Sequence, residues 1–276
     1  RFISYLHADP AADGNALAEG VLTVEGRRAF TPGLEAFVSA ELWADNRSLS
    51  SGVVSQIHDR AARRPGVNAA EAYLNFFFDR WDWRLGKQKF SWGAADGINP
   101  TDVFGAFDYA DLLDPRRLGL LGLRGFYYPK NEGDFTFEWV CVPSYTPSRA
   151  GRLNTRWRPL LENGATAVPV DVRYPRNTPA NAGYGMKLSR RILEWDVSAS
   201  YSRVIDDVAG GERLGGIFVR PLFLKKRSVG LDASRTIDNS QWEIHAEGAL
   251  TVTPSGLDDY FVQLVVVQPS LLAGEA

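Results

Sequence analysis

Residues 34–45 read LEAFVSAELWAD, and their alternation decides the fold class. Leu34, Ala36, Val38, Ala40, Leu42 and Ala44 fall on one parity. Glu35, Phe37, Ser39, Glu41, Trp43 and Asp45 fall on the other. Successive side chains of a strand point to opposite faces, so strict period-2 alternation predicts a strand between two unlike environments. Thr31-Pro32-Gly33 before it is a tight turn, and Leu17–Phe30 is its hairpin partner. After the polar stretch Arg47–Val67, the pattern returns in Asn68–Phe78. There Ala70, Ala72, Leu74, Phe76 and Phe78 oppose Glu71, Tyr73, Asn75 and Phe77.

Working outward, the same reading gives strands over Arg1–His7, Asp82–Trp92, Leu118–Tyr128, Asp134–Tyr145 and Gly183–Ser189, the last ended by a turn at Arg190-Arg191. Leu193–Arg203 splits cleanly, with Leu193, Trp195, Val197, Ala199 and Tyr201 against Glu194, Asp196, Ser198, Ser200 and Ser202. Leu214–Leu224, with Pro221 marking a bulge, Ser228–Ile237, Gln241–Thr253 and Asp259–Gln268 complete the set. Most segments reach the roughly 9–11 residues that cross a bilayer at a tilt. Up to about residue 213 the connections alternate long and short, as in barrels with long extracellular loops and short periplasmic turns. Trp195 and Tyr201 bracket Val197 and Ala199 over roughly 20 Å of strand, a girdle–apolar–girdle order.

These features predict an all-β fold: an antiparallel transmembrane β-barrel of about 13–14 strands in one domain over residues 1–276. Single-chain bacterial barrels have even strand numbers, and about thirteen segments are read here. Either part of the barrel lies outside this chain, or the strand count is off by one. Lys87 and Lys89 share parity with Trp83 and Leu85, which would face them to lipid; a bulge near Gly86 would re-aim them inward.

The chain has 276 residues and a formal charge of -2, with no basic surplus to suit nucleic acid. No run of apolar residues is long enough for a membrane helix. Cys141 is the one cysteine and reads as a packing residue, so neither an intrachain disulfide nor a CxxC metal site is expected. The 8 Trp, 10 Tyr and 15 Phe suffice for interfacial girdles. The first residue, Arg1, opens what reads as a strand, so a mature or trimmed N-terminus is expected.

The longest stretch between strands is Arg84–Arg117, RLGKQKFSWGAADGINPTDVFGAFDYADLLDPRR. It carries Asp96, Asp102, Asp108, Asp111 and Asp114, with Phe104, Phe107 and Tyr109 among them. A connection this long is functional or disordered, and its aromatics argue for order. Residues 93–117 are expected to fold inward as a constriction, and 146–182 to form a long extracellular loop. Asp102, Asp108 and Asp111 are expected to face Arg84 and Arg124 across the lumen, with Gln88 beside them. Opposed charges across a narrow pore set ion selectivity. Arg149, Arg152, Arg156 and Arg158 would attract anions or lipopolysaccharide phosphates at the outer mouth.

Catalytic and metal chemistry is sparse. Glu243, His245 and Glu247 share one strand face and could hold a metal, but lumen-lining polar residues explain them as well. A pairing of His245 with Ser198, Ser200 or Ser202 has no supporting spacing. No catalytic residue, metal or cofactor is expected.

The run RLGKQKFSWGAADGINPTDVF, followed by DYADLLDPRRLGLLGLRGFYYP, resembles a largely uncharacterised family of proteobacterial porin-like outer-membrane barrels related to the alginate-export type. The resemblance covers Arg84–Pro129 most strongly. It implies a bacterial outer-membrane barrel passing a small organic solute or an exported polymer. Lipid, lipopolysaccharide and the solute would be its partners, with a homo-oligomer or larger membrane complex compatible. The C-terminal LLAGEA departs from the usual aromatic-ended strand. Two rivals stand: a structural barrel that sheathes a partner protein, and an outer-membrane hydrolase using His245.

Overall fold

A computed structural model describes residues 2–4, 16–46, 59–60, 64–93, 99–110, 112–129, 135–149, 164, 166–237, 243–253 and 258–267. The strands are β1 (Phe2–Ser4), β2 (Ala16–Thr31), β3 (Leu34–Asp45), β4 (Val67–Phe77), β5 (Trp81–Gln88), β6 (Phe107–Asp108), β7 (Arg116–Arg117), β8 (Leu120–Tyr127) and β9 (Phe135–Val142). They continue with β10 (Val168–Pro169), β11 (Gly183–Ile192), β12 (Trp195–Ile205), β13 (Gly210–Gly215), β14 (Phe218–Leu222), β15 (Lys225–Thr236), β16 (Glu243–Val252) and β17 (Asp258–Val267). Twelve form one sheet in the order β1-β2-β3-β4-β5-β8-β9-β11-β12-β15-β16-β17. Every pair in it is antiparallel. Among the described residues no pairing joins β1 to β17, and no helix is long and apolar enough to cross a membrane.

Twelve replaces the odd count because the expected strand Leu214–Leu224 is not in this sheet. Gly215 and Gly216 adopt φ of 126° and 53°, which only glycine takes readily, and fold the segment into the β13–β14 hairpin. That hairpin joins β10 in a separate three-stranded sheet. Pro221 lies opposite Gly211, and the irregularity falls at Arg213/Gly215 instead. Other boundaries shift as well: β5, β8 and β9 are eight residues each, shorter than expected.

The turn expected at Arg190-Arg191 lies at Leu193-Glu194. Both residues have positive φ, 48° and 69°, and Ile192 pairs with Trp195. A two-residue hairpin with both φ positive matches strand twist, and it normally signals itself as Asn-Gly or Asp-Gly. Leu-Glu gives no such signal, and Leu193 lies in the turn, 86% exposed, rather than on the strand face.

The sheet is inside out. On one face Ser39, Asn75, Glu138, Ser198, Ser202, Ser228, His245 and Glu247 are buried. On the other, Val24, Val38, Leu42, Leu74, Leu85, Met186, Leu188, Val229, Leu231 and Leu250 are exposed. The exposed face runs unbroken through cross-strand neighbours. One row passes Trp81, Tyr127, Phe137, Leu188, Ala199, Leu231 and Gly248 without a charge. Beside the short β4–β5 turn, Trp81 stacks on Trp83 and meets Tyr127, and Trp83 meets Trp139 edge-on at 4.7 Å. The cross-strand contacts among these, Trp81 with Tyr127 and Trp83 with Trp139, stabilise a sheet by roughly 0.2–1 kcal/mol each.

β3 follows its sequence pattern: Ser39 and Trp43 are buried while Val38 and Leu42 are about half exposed. β4 departs from it at one point. A register shift opposite Ser39/Ala40 leaves Ala70 unpaired with β3 and turns it to the buried side. The long connections are β3–β4, β5–β8, β9–β11 and β12–β15, and all leave from the same end of the sheet.

Candidate functional site

The segment between β5 and β8 lies against the buried face, and the wall is shaped for it. Its entry is set by Gly86, at φ 140°, where an added Cβ would come 2.3 Å from the Ala72 carbonyl oxygen. The β4–β5 pairing runs through Gly86 without a shift, so Lys87 is buried without the expected bulge. Lys87 and Gln88 are both buried: Lys87 Nζ donates to Asn68 Oδ1 (3.1 Å), and Gln88 Nε2 to the Gly122 carbonyl (3.1 Å). Lys89 remains exposed.

Beyond this, Phe90, Trp92, Phe104 and Ala106 pack on Leu120, Val140, Val142 and Val204 as one apolar cluster. Trp92 and Phe104 meet edge-on at 4.9 Å. Trp92 Nε1 donates to Glu138 Oε1 at 2.8 Å, giving the buried indole a polar partner. Gly185 of β11 makes the room: a Cβ there would sit 2.4 Å from Trp92 and 2.6 Å from Phe104.

Thr101 holds the segment to the far side of the sheet. Its backbone N–H and its hydroxyl both donate to Glu247 Oε1 of β16, at 2.8 and 2.7 Å. A Cβ on Gly230 of β15 would fall 2.6 Å from Thr101 Cγ2. Asp102 accepts from the Trp92 N–H (3.2 Å) and pairs with Arg117, which also donates to the Phe90 carbonyl (2.6 Å). The segment therefore closes on itself through β7.

At the end where the long connections leave, their charged groups converge. Arg64, after β3, pairs with Asp108 of β6 (2.9 Å) and with Glu19 of β2 (3.5 Å). Arg149, after β9, pairs with the same Asp108 (2.6 Å) and with Asp59. All five residues are buried. Burial opposes ionisation of Asp108, but Arg149 and Arg64 outweigh it and hold its carboxyl below the usual range. Ser148 donates to Asp207, after β12, and its hydroxyl accepts from the Phe107 N–H (2.8 Å). Burial pushes the Asp207 carboxyl up despite the Ser148 hydrogen bond, and burial likewise raises Tyr145.

Beside this cluster is a cavity of about 190 Å³. Five basic residues line it: Arg64, Lys89, Arg116, Arg117 and Arg149. Its acidic lining is Glu41, Asp59 and Asp108. Trp43 forms one wall, with the guanidinium of Arg64 4.2 Å and that of Arg116 4.7 Å from its ring centre.

Of the residues expected at a constriction, Asp102 and Asp108 do meet arginines, but these are Arg117, Arg64 and Arg149 and not Arg84 or Arg124. Arg84 and Arg124 are cross-strand neighbours on the buried face, each satisfied by the wall. Arg84 donates to Asn75 (2.8 Å) and lies over the Tyr73 ring, while Arg124 pairs with Glu138 (2.7 Å). Gln88 is fully buried at the segment's entry, and Asp111 lies outside the described residues. Phe104 is buried, whereas Phe107 and Tyr109 are only half-buried. Arg149 is not at an exposed mouth; the Asp108 and Asp59 carboxylates draw it inside. Arg152, Arg156 and Arg158 lie outside the described residues.

Sequence reasoning passed over Arg64, Asp59, Thr101, Glu138 and the wall glycines. Gly230 carried a signal, since it falls at inward parity in a strand whose other inward residues are polar, and Gly185 a weaker one, since it shares its face with Gly183 as well as Lys187, Ser189 and Arg191. Among the described residues no group of three His, Cys, Asp or Glu is placed to hold a metal. No protein-family model matches this chain, and no curated protein is similar enough to stand as a relative.

Proposed function

We propose that this chain is a β-barrel of the bacterial outer membrane and works as a porin-like channel for a small organic solute, narrowed by the segment between β5 and β8. The observation that carries this reading is the inverted sheet: among the described residues, exposed apolar side chains on one face of β2–β5, β11, β12, β15 and β16, and a buried, mostly polar face opposite. In water such a face would be a far larger apolar patch than monomeric soluble proteins leave exposed. In a bilayer, apolar-out and polar-in is the alternation a barrel requires. Even strand number, antiparallel neighbours and tight turns at one end support it further.

The segment packed on the polar face also supports a sheathing or plugged barrel, because its apolar cluster fills space that an open pore would leave to water. Planar-bilayer recording separates the two. With the intact chain inserted, small channels are expected, and deleting Gly105–Ala110 should raise conductance severalfold and weaken ion selectivity. If neither form conducts while both insert, the channel reading falls and the sheathing barrel takes its place.

A further inference from the structure

We infer that the cavity beside Trp43 is a binding site for an organic carboxylate, the group by which a solute would first engage the channel; this rests on the channel reading above. The lining carries five basic groups against three acidic ones. Two of the acids are already engaged, Asp108 with Arg64 and Arg149, and Asp59 with Arg149. The third, Glu41, accepts from Trp43 Nε1 at 3.1 Å. Arg64 and Arg117 are engaged as well, by Glu19 and Asp102 outside the lining, so the two loosely held cations of the cavity are Arg116 and Lys89. Lys89 is exposed at the rim, and its side chain has no partner among the described residues.

Arg116 is the residue built to receive the anion. The Trp43 ring holds its guanidinium in place, and an arginine fork matches the two oxygens of a carboxylate. Its present partner is Asp114 at 2.9 Å, and both side chains are more than a third exposed. An ion pair that open to water contributes only about 0–1 kcal/mol, so an incoming carboxylate can displace Asp114 at little cost. Ordering of the fork by Trp43 before binding lowers the cost of capture. The acids in the wall disfavour a doubly charged phosphate. The volume, roughly six waters' worth, suits a small organic acid.

Isothermal titration of the detergent-solubilised protein tests this with benzoate, the neutral isostere benzamide and inorganic phosphate. Benzoate should bind, benzamide should not, and phosphate should bind more weakly. The double variant Lys89→Gln/Arg116→Gln should lose at least tenfold in benzoate affinity, and Lys89→Gln alone a smaller factor, with unchanged circular dichroism. Equal binding of benzoate and benzamide, tighter phosphate binding, or a double variant that binds like the parent overturns the site. The titration needs no conductance. Binding without channels would sink only the channel reading, and channels without binding only this site.

Discussion

Gly230 and Leu231 are neighbours in β15 and face opposite ways. A Cβ on Gly230 would strike Thr101 of the packed segment, whereas Leu231 is 64% exposed in a row of apolar side chains. Val38 and Ser39 make the same contrast in β3, at 47% and 4% exposure. The outward face is generic: any apolar side chain of suitable size would serve. The inward face is particular, because positions such as Gly185, Gly230, Glu138 and Glu247 each answer to a group of the segment that lies on it. On the proposed reading, a membrane and a packed lumen place these two demands on alternate residues of the same strand.

The sharpest way to break the comparison is a charge on each face. Val38→Arg should impair insertion by about 2–4 kcal/mol if the site lies at the midplane. Ser39→Arg should cost far less, since Glu25 is already a hydrogen-bond partner of Ser39 at 3.1 Å. Unfolding and insertion measured in lipid vesicles read the difference, and equal tolerance would remove the membrane from the account.

Bulk on each side of β15 comes next. Gly230→Val forces Thr101 away from Glu247, an overpacking of typically 1–3 kcal/mol. Leu231→Val should be nearly silent. Protease sensitivity of the segment, with the conductance of each variant, reports the outcome; matching effects would mean that Gly230 does not hold the segment in place.

The smallest effect concerns pH. The Asp108 carboxyl is held low, so its contribution is present above the ordinary carboxylate pKa and is lost as pH falls through its lower folded value. Thermal stability should therefore drop in a window below about pH 4. Arg149→Gln removes one of the two charges that depress it and should start the loss at higher pH. An unchanged acid limb in that variant would detach Asp108 from the segment's anchoring.

Much of the wall was legible in the sequence because its signal is local. β3 shows its two faces by parity alone, and the β2–β3 turn by Pro32 and Gly33. The β11–β12 turn was not legible, since Leu193-Glu194 takes positive φ without the usual residues. The β13–β14 hairpin was passed over because Leu214–Leu224 reads as one apolar run, although Gly215-Gly216 within it supplies the turn that folds β13 back on β14.

The sequence by itself determined the strands, their alternating faces and the long segment rich in acids and aromatics, for these depend on neighbours two residues apart. Only the tertiary structure decided which arginine meets which aspartate. Arg64, Asp108 and Arg149 lie on three different long connections, and Thr101 and Glu247 are 146 residues apart in the chain. A buried ion has to find its counter-charge at contact distance, and that distance is set by how the sheet folds around the segment, not by spacing along the chain.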